Sequence, residues 1–367
     1  MIKFLIKLHN YAQYRYNQLI KDRLFKYNRR QFAKRDFTQK QAKTTPITAA
    51  QKSGIISFWK EYYDIENELH WFDFYNTFCE NKQELKYYIP DSIYYAEIDS
   101  FFTNPDRADQ LDDKNLYDLI FFDIKMPATI VRKTNGVLLD NKYHIITENQ
   151  AIELCKAHNS VISKKAIYSE GGKGIRFFDF QSSTDNDLKE WLAANDELII
   201  QEVIQQHQSL NRIHDKSINT IRIMTLMLDN TVHIVSSVLR MGRDGARVDN
   251  ASSGGIVCGI DDNGCLKEYA CDITGKRWSQ HPQGAIFKGF KIEGYEKCRE
   301  LAKSLAGRIS GTSHLVSWDF AIDKEGDPIL IEVNLTYGQV DFHQICNGPI
   351  FGKLTETVLQ QVLSSKK

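Results

Sequence analysis

One stretch constrains the fold of this chain more than any other: SWDFAIDKEGDPILIEVN, residues 317–334. Two apolar runs flank the four-residue turn Lys324-Glu325-Gly326-Asp327, so the pair reads as an antiparallel hairpin with Asp323 opposite Pro328. Counting back along that register sets Asp319 opposite Glu332 and Trp318 opposite Val333. Side chains alternate faces in a strand. Trp318, Phe320, Ile322, Ile329, Ile331 and Val333 therefore form one apolar face, and Asp319, Glu332 and Asn334 share the other. Like charges directly opposite in a sheet are destabilising unless a cation compensates. Two carboxylates and an amide oxygen suit Mg²⁺ held between carboxylates and phosphates. The competing reading is a shifted register with one carboxylate solvated at a sheet edge.

Three further stretches carry chemistry. VISKKAIYSEGGKGIRFF (161–178) places a strand, Lys164, and the turn Gly171-Gly172-Lys173-Gly174 before another strand. Glycines let backbone N–H groups approach a phosphate closely, although such turns also occur in hairpins that bind nothing. ELIIQEVI (197–204) is an apolar strand broken by Gln201 and Glu202; its exit offers backbone groups to an adenine edge, or simply ends a core strand. SINTIRIMTLMLDNTVHIVSSVLRMGR (217–243) reads as a hairpin through Asp229-Asn230, with Arg222 opposite Ser237. An arginine in so apolar a strand needs a partner, either a phosphate or a structural carboxylate. Arg240 and Arg243 follow, then Asn250, Ser252, Ser253 and Gly254-Gly255, a loop that suits a carboxylate or acyl phosphate or serves as an ordinary turn.

The class that these strands and the helical segments between them imply is α+β. With 367 residues the chain is long enough for two or three subdomains. Residues 55–125 read as mainly helical and aromatic, and QAKTTPITAAQKSG (41–54) as a linker. The boundaries expected are 1–50, 51–125, 126–205 and 206–367. The net charge is zero, which gives no general attraction for nucleic acid. That balance conceals twelve Lys/Arg against two Asp in residues 1–43, a basic, aromatic-bearing helical pattern. Such a pattern fits either a solvated arm or peripheral contact with a membrane or partner. Seven scattered cysteines without a C-x-x-C fit a reducing cytoplasm, and no run approaches bilayer length.

The order of these pieces resembles the ATP-grasp superfamily, and the wording is most similar to its sugar-transfer-associated family. The resembling stretches are DKNLYDLIFFDIKMP, VISKKAIYSEGGKGI, IQEVIQQH, SINTIRIMTL, VDNASSGGIVCGID, HPQGAIFKGF and SWDFAID with ILIEVN. The resemblance implies two α+β subdomains clasping ATP behind a helical N-terminal region. By the same resemblance, Lys164 contacts the α/β phosphates, Gly171–Gly174 with Lys173 covers the nucleotide, and Gln201, Glu202, Val203 and His207 meet adenine and ribose. Asp319, Glu332 and Asn334 carry Mg²⁺, usually two ions; Arg222 and Arg240 face the γ-phosphate and acyl phosphate. Arg243, Asn250, Ser253, Gly254 and Gly255 border the acceptor. Lys165 stands where these enzymes usually have proline, which leaves open whether Lys164 or Lys165 reaches ATP. The implied activity joins a carboxylate to an amine through an acyl phosphate, in polysaccharide biosynthesis, in the cytoplasm or at the inner face of the membrane. The rival readings are an ATP-grasp kinase that phosphorylates a sugar or alcohol and a non-catalytic nucleotide-binding scaffold at the membrane.

Overall fold

The structure, a computed structural model, describes residues 44–167 and 174–364. The basic segment 1–43 lies outside the described residues. The chain divides into two compact units, one of residues 44–102 with 339–364 and one of residues 103–338. In the first, a helix spans Ala49–Trp59 and starts on a reciprocal Thr48–Gln51 cap, so half of the expected linker is helical. Its interior stacks aromatics, among them Tyr75 on Tyr88 at 5.0 Å, and Tyr75 donates its hydroxyl to buried Asp91 at 2.8 Å.

The second unit holds two antiparallel sheets. The smaller contains β1 (Thr129–Thr134), β2 (Val137–Asp140), β3 (Ser160–Lys165), β4 (Arg176–Asp179) and β5 (Leu198–Glu202), in the order β2-β1-β5-β3-β4. Helices α1 (Glu148–Lys156) and α2 (Asp185–Ala194) each open on a threonine capping box, Thr147 with Gln150 and Thr184 with Asp187. They bury Ala151, Ile152, Cys155, Leu188 and Leu192 against Val161, Phe178 and Ile200 of the sheet. Val161 and Ser163 face these helices, and Trp191 donates to Ser163 Oγ at 2.8 Å. Alternation turns Ile162 and Lys164 to the opposite face.

The larger sheet contains β6 (Thr220–Leu228), β7 (Thr231–Met241), β8 (Ile256–Ile260), β9 (Leu266–Cys271), β10 (Arg277–Trp278), β11 (Leu315–Ile322) and β12 (Pro328–Asn334). Their order is β10-β9-β8-β7-β6-β11-β12. Helix α3 (Tyr295–Arg308) packs Cys298, Ala302, Leu305 and Ala306 onto its apolar face, with Ile221, Ile223, Leu239, Trp318 and Phe320. The expected α+β class holds.

Two registers differ from the sequence reading, each because of a one-residue bulge. In the β11–β12 hairpin Pro328 pairs with Ile322, not Asp323, and Leu330 with Phe320. An irregularity beyond Phe320 leaves Ile331 as the extra residue and restores Asp319 opposite Glu332 and Trp318 opposite Val333. The slip exchanges faces on the turn side of the bulge. Leu330 joins the core, and Ile331 becomes half-buried beside the cleft. In the β6–β7 hairpin Asp229 and Asn230 both adopt positive φ, as a two-residue turn requires. A bulge then leaves Val235 unpaired, so Arg222 sits opposite Val238 rather than Ser237.

Candidate active site

The polar face of the larger sheet carries a row of charges built by strand register. Asp319 on β11 pairs with Glu332 on β12 and with Arg222 on β6. The bulge at Val235 sets Thr220 opposite Arg240, so Arg240 shares the face of Arg222, one diagonal step away. Arg222 Nε donates to Asp319 Oδ1 and Arg222 Nη2 to Oδ2, both at 2.7 Å, while Arg240 Nη1 reaches Oδ2 at 3.0 Å. All three residues are buried. The partner that Arg222 finds is therefore a structural carboxylate. Burial alone would depress the Arg222 charge; Asp319 outweighs it and raises the guanidinium pKa.

Glu332 has a different cation, one that the sequence reading did not name. Lys114 Nζ lies 2.8 Å from its Oε1, and Lys114 is 7% exposed. Burial disfavours the lysine charge, but Glu332 prevails and raises its pKa, while Lys114 holds Glu332 below the usual carboxylate range despite burial. Local structure places Lys114. Asp113 accepts the Asn115 N–H at 2.9 Å and opens the turn, and the Lys114 N–H donates to Ala166 O at 3.0 Å, just past β3. Buried Arg132 on β1 donates to Asn115 O at 3.1 Å and pairs with Asp118. The stretch beginning Asp113-Lys114 belongs to the resembling sequence, but a lysine in a helical turn offers no periodicity signal of its own.

Lys164 has no hydrogen-bond or ion-pair partner among the described residues. Burial lowers its pKa to about 8; Glu332 and Asp249 pull it upward and Lys114 pushes it further down. Lys164 lies on the sheet face turned away from the helices, and Lys114, held at Ala166 two residues on, joins that strand end to Glu332. Lys165 is exposed, and its methylenes lie about 3 Å from where a Cβ on Gly174 would be, so Gly174, at φ +79°, admits that side chain. Of the two lysines it is Lys164 that faces the cleft. Gly171, Gly172 and Lys173 lie outside the described residues.

A cavity of about 320 Å³ opens between the two sheets, lined by Lys114, Tyr117, Met126, Gln201, Leu330 and Ile331 among others. Gln201 reaches it from β5 and donates to Pro127 O at 3.3 Å. Glu202 is exposed; its carboxylate pairs with His158 at 3.2 Å and its N–H is taken by Ala128 O. Val203 follows, half-buried. His207 is tied to β11 through Ile322 O, and its Nδ1 accepts the Ser209 N–H to cap the turn Gln208–Asn211.

On the acceptor side, Asn250 O accepts the N–H groups of Ser253 and Gly255, and Gly254 closes that turn at φ +95°. Gly254 O accepts from Arg243 Nε, and the Arg243 guanidinium lies 5.2 Å from the Trp278 ring centre. A Cβ on Gly255 would meet Asp249 O at 2.5 Å and Met241 O at 2.8 Å, so only glycine fits. The sequence reading also passed over Asp249, whose Oδ1 lies 3.5 Å from Arg240 Nη2.

The donor set of Asp319, Glu332 and Asn334 fits an oxygen-preferring divalent cation: two carboxylates in direct register and one amide on the same face. Asp319 already accepts three guanidinium hydrogen bonds, and Asn334 donates Nδ2 to Ser317 O at 3.3 Å, which leaves its amide oxygen as the ligating atom.

No curated protein matches the sequence. Among solved structures, D-alanyl-alanine synthetase A from Vibrio cholerae O1 biovar eltor matches at 14% identity and a TM-score of 0.42, over 71% of this chain and 67% of that one. The ATP-grasp ligase PsnB with its minimal precursor matches at 14% identity and a TM-score of 0.40, over 71% and 64%. Biotin carboxylase from Campylobacter jejuni, in a β,γ-ATP complex, matches at 15% and 0.41; the chain spans 46% of its length. The family model described as sugar-transfer associated ATP-grasp matches residues 96–360, well over half of the chain. Ligases of the ATP-grasp family are ATP-dependent carboxylate–amine ligases, and the family generally uses Mg²⁺. This protein belongs to the sugar-transfer associated ATP-grasp family.

Proposed function

We propose that the chain is an ATP- and Mg²⁺-dependent carboxylate–amine ligase that works through an acyl phosphate, joining an amino acid or amine to a sugar acid in cell-surface polysaccharide biosynthesis. One observation carries the nucleotide half: Lys164 has no partner among the described residues, its pKa is depressed to about 8 by burial, and it lies two residues before Ala166, whose carbonyl holds the backbone of Lys114, the partner of Glu332. A cation in that state gains from an anion, and in this reading the phosphates of ATP supply it. Lys114 supplies a second positive charge next to it.

In this reading Lys164 and Lys114 hold the phosphates and Gln201 and Val203 border the adenine, with Lys173 and the 171–174 turn over the nucleotide. Asp319, Glu332 and Asn334 hold the metal, as one or two ions. When bound, the metal supplies charge neutralisation at the transferred phosphoryl group. Arg222 and Arg240 spread the remaining charge from positions fixed by Asp319, so catalysis is largely positioning and electrostatics. Arg243, Asn250, Ser253, Gly254 and Gly255 border the acceptor. The family's ligases support the carboxylate–amine outcome, and the family's description supports the sugar setting.

An ADP-release screen of sugar acids against amines, with mass spectrometry of products, tests the proposal. ADP with an amide product is expected; a stable phosphorylated sugar or alcohol would refute ligation. We place the enzyme in the cytoplasm, touching the inner face of the membrane through basic residues 1–43. Sedimentation with anionic vesicles, with and without that segment, checks this, and unchanged binding on truncation rejects it. Among the described residues no helix is long and apolar enough to cross a membrane.

A further inference from the structure

Asp249 stands at the end of the charged row with a buried carboxylate oxygen that has no hydrogen-bond partner among the described residues. It follows β7, with its side chain 13% exposed. Oδ1 meets Arg240 Nη2 at 3.5 Å, the long end of a hydrogen bond, and Oδ2 is buried with no partner among the described residues. Asp319, by contrast, has both oxygens engaged, and Glu332 has Lys114. Arg240, which shares the sheet face of Arg222 and bonds to Asp319, ties Asp249 to the end of the charged row. Its backbone is held in place: Asp249 O and Asn250 O crowd Gly255, whose N–H donates to Asn250 O at 3.1 Å.

A buried carboxylate oxygen without a donor is costly, so the site is complete only when a ligand brings one. Near the reacting atoms the ATP phosphates, the substrate carboxylate and the acyl phosphate are all acceptors, and an anion repels them. The incoming amine, an ammonium at neutral pH, brings both N–H donors and a positive charge there. We propose that Asp249 Oδ2 binds the incoming ammonium and takes one proton from it, freeing the lone pair that attacks the acyl carbon. The C–N bond then forms, the bond from the acyl carbon to the phosphate oxygen breaks, and phosphate leaves with the electron pair and the second proton of the nitrogen. Arg240, bridging Asp319 and Asp249, orients the base. The assignment rests on the ligase reading above.

The test uses the full chain with Mg-ATP, the sugar acid and amine returned by the ADP-release screen, and hydroxylamine as an alternative nucleophile that is unprotonated at neutral pH. Asp249→Asn lowers amide formation at least about 100-fold at pH 7, the ordinary worth of a general base. Hydroxamate formation falls less than about tenfold, and ATP binding by calorimetry is unchanged or tighter. Amide formation in the variant climbs about tenfold per pH unit toward the pKa of the amine, as free amine accumulates, and Asp249→Glu recovers part of the rate. Equal loss of amide and hydroxamate, or amide formation at the wild-type rate, overturns the assignment. If the screen returns no ADP-releasing pair, the ligase reading fails first and Asp249 loses its role with it.

Discussion

Asp319 grips Arg222 through both carboxylate oxygens, each at 2.7 Å, inside a sheet where neither side chain meets water. Breaking a buried pair by removing one partner strands the other charge, at about 3–5 kcal/mol. Asp319→Asn therefore lowers stability by roughly that amount in urea unfolding. Glu332→Gln, at a position 24% exposed and paired with Lys114, costs about 1–2 kcal/mol. Both variants lose ATP turnover if the metal assignment holds. Glu332→Gln is the cleaner test because the protein stays folded, and turnover within tenfold of wild type would remove Glu332 from the metal site.

Lys164 gives a pH signature. Its folded pKa, about 8, lies below that of an unfolded lysine, so at neutral pH its charge opposes folding. That opposition is complete below pH 8 and fades toward pH 10.4, the unfolded value. Lys164→Met accordingly raises the melting temperature of the ligand-free protein by about 2–5 °C at pH 7, with the gain shrinking above pH 8. The same variant loses ATP affinity. In the wild type, ATP affinity falls by up to about tenfold per unit above pH 8, as the lysine discharges. Calorimetry across pH 7–9.5 reads this, and a flat profile would exclude Lys164 from phosphate contact.

Gly255→Ala places a methyl 2.5 Å from one backbone carbonyl and 2.8 Å from another, neither of which can swing away. The expected loss is about 2–4 kcal/mol, by the overpacking route. Gly245→Ala, with open space at the Cβ position but φ +79°, costs about 1 kcal/mol and serves as the comparison. Thermal melts of the two variants decide, and equal losses would mean that the 249–255 turn moves freely.

Two buried histidines add a second pH response. The His214 and His281 rings lie 5.4 Å apart, and burial lowers both pKa values, with His281 lowering that of His214 further. His214 Nδ1 accepts from the Ser217 N–H, and His281 Nε2 bonds to Gly242 O. Unfolded histidines take protons from about pH 6.5 downward while the folded pair does not. The stability they contribute is thus present above that pH and is lost as it falls toward the folded values. His214→Asn keeps an acceptor near Ser217 and abolishes titration, so its melting temperature declines less between pH 7 and 5 than that of wild type. Parallel declines would refute the account.

The carboxylate hairpin was legible because its turn is short, its faces alternate, and opposed acids are conspicuous in an apolar sheet. Asp319 opposite Glu332 came out correctly although the pairing nearer the turn did not: the error at Asp323 and the unrecognised bulge at Ile331 cancel. No such cancellation protected Arg222, whose neighbour shifted by one when Val235 dropped out of pairing. Bulges leave no mark in composition, because their extra residue is as apolar as its neighbours. Lys114 and Asp249 were invisible for another reason. Each is an ordinary charged residue in a turn, and only folding brings them to Glu332 and Arg240.

Those two bulges mark the points where this sheet absorbs a change in residue count without turning its charged row. Ile331 or Val235 can be exchanged for another apolar side chain at little cost. Deleting either residue leaves the pairs on both sides of it in one continuous register, Phe320 with Leu330 running straight into Asp319 with Glu332, and Thr225 with Ile234 into Met224 with Ser236. Ordinary alternation then keeps Glu332 and Arg240 on the cleft face, so the charged row survives a one-residue deletion at these two points.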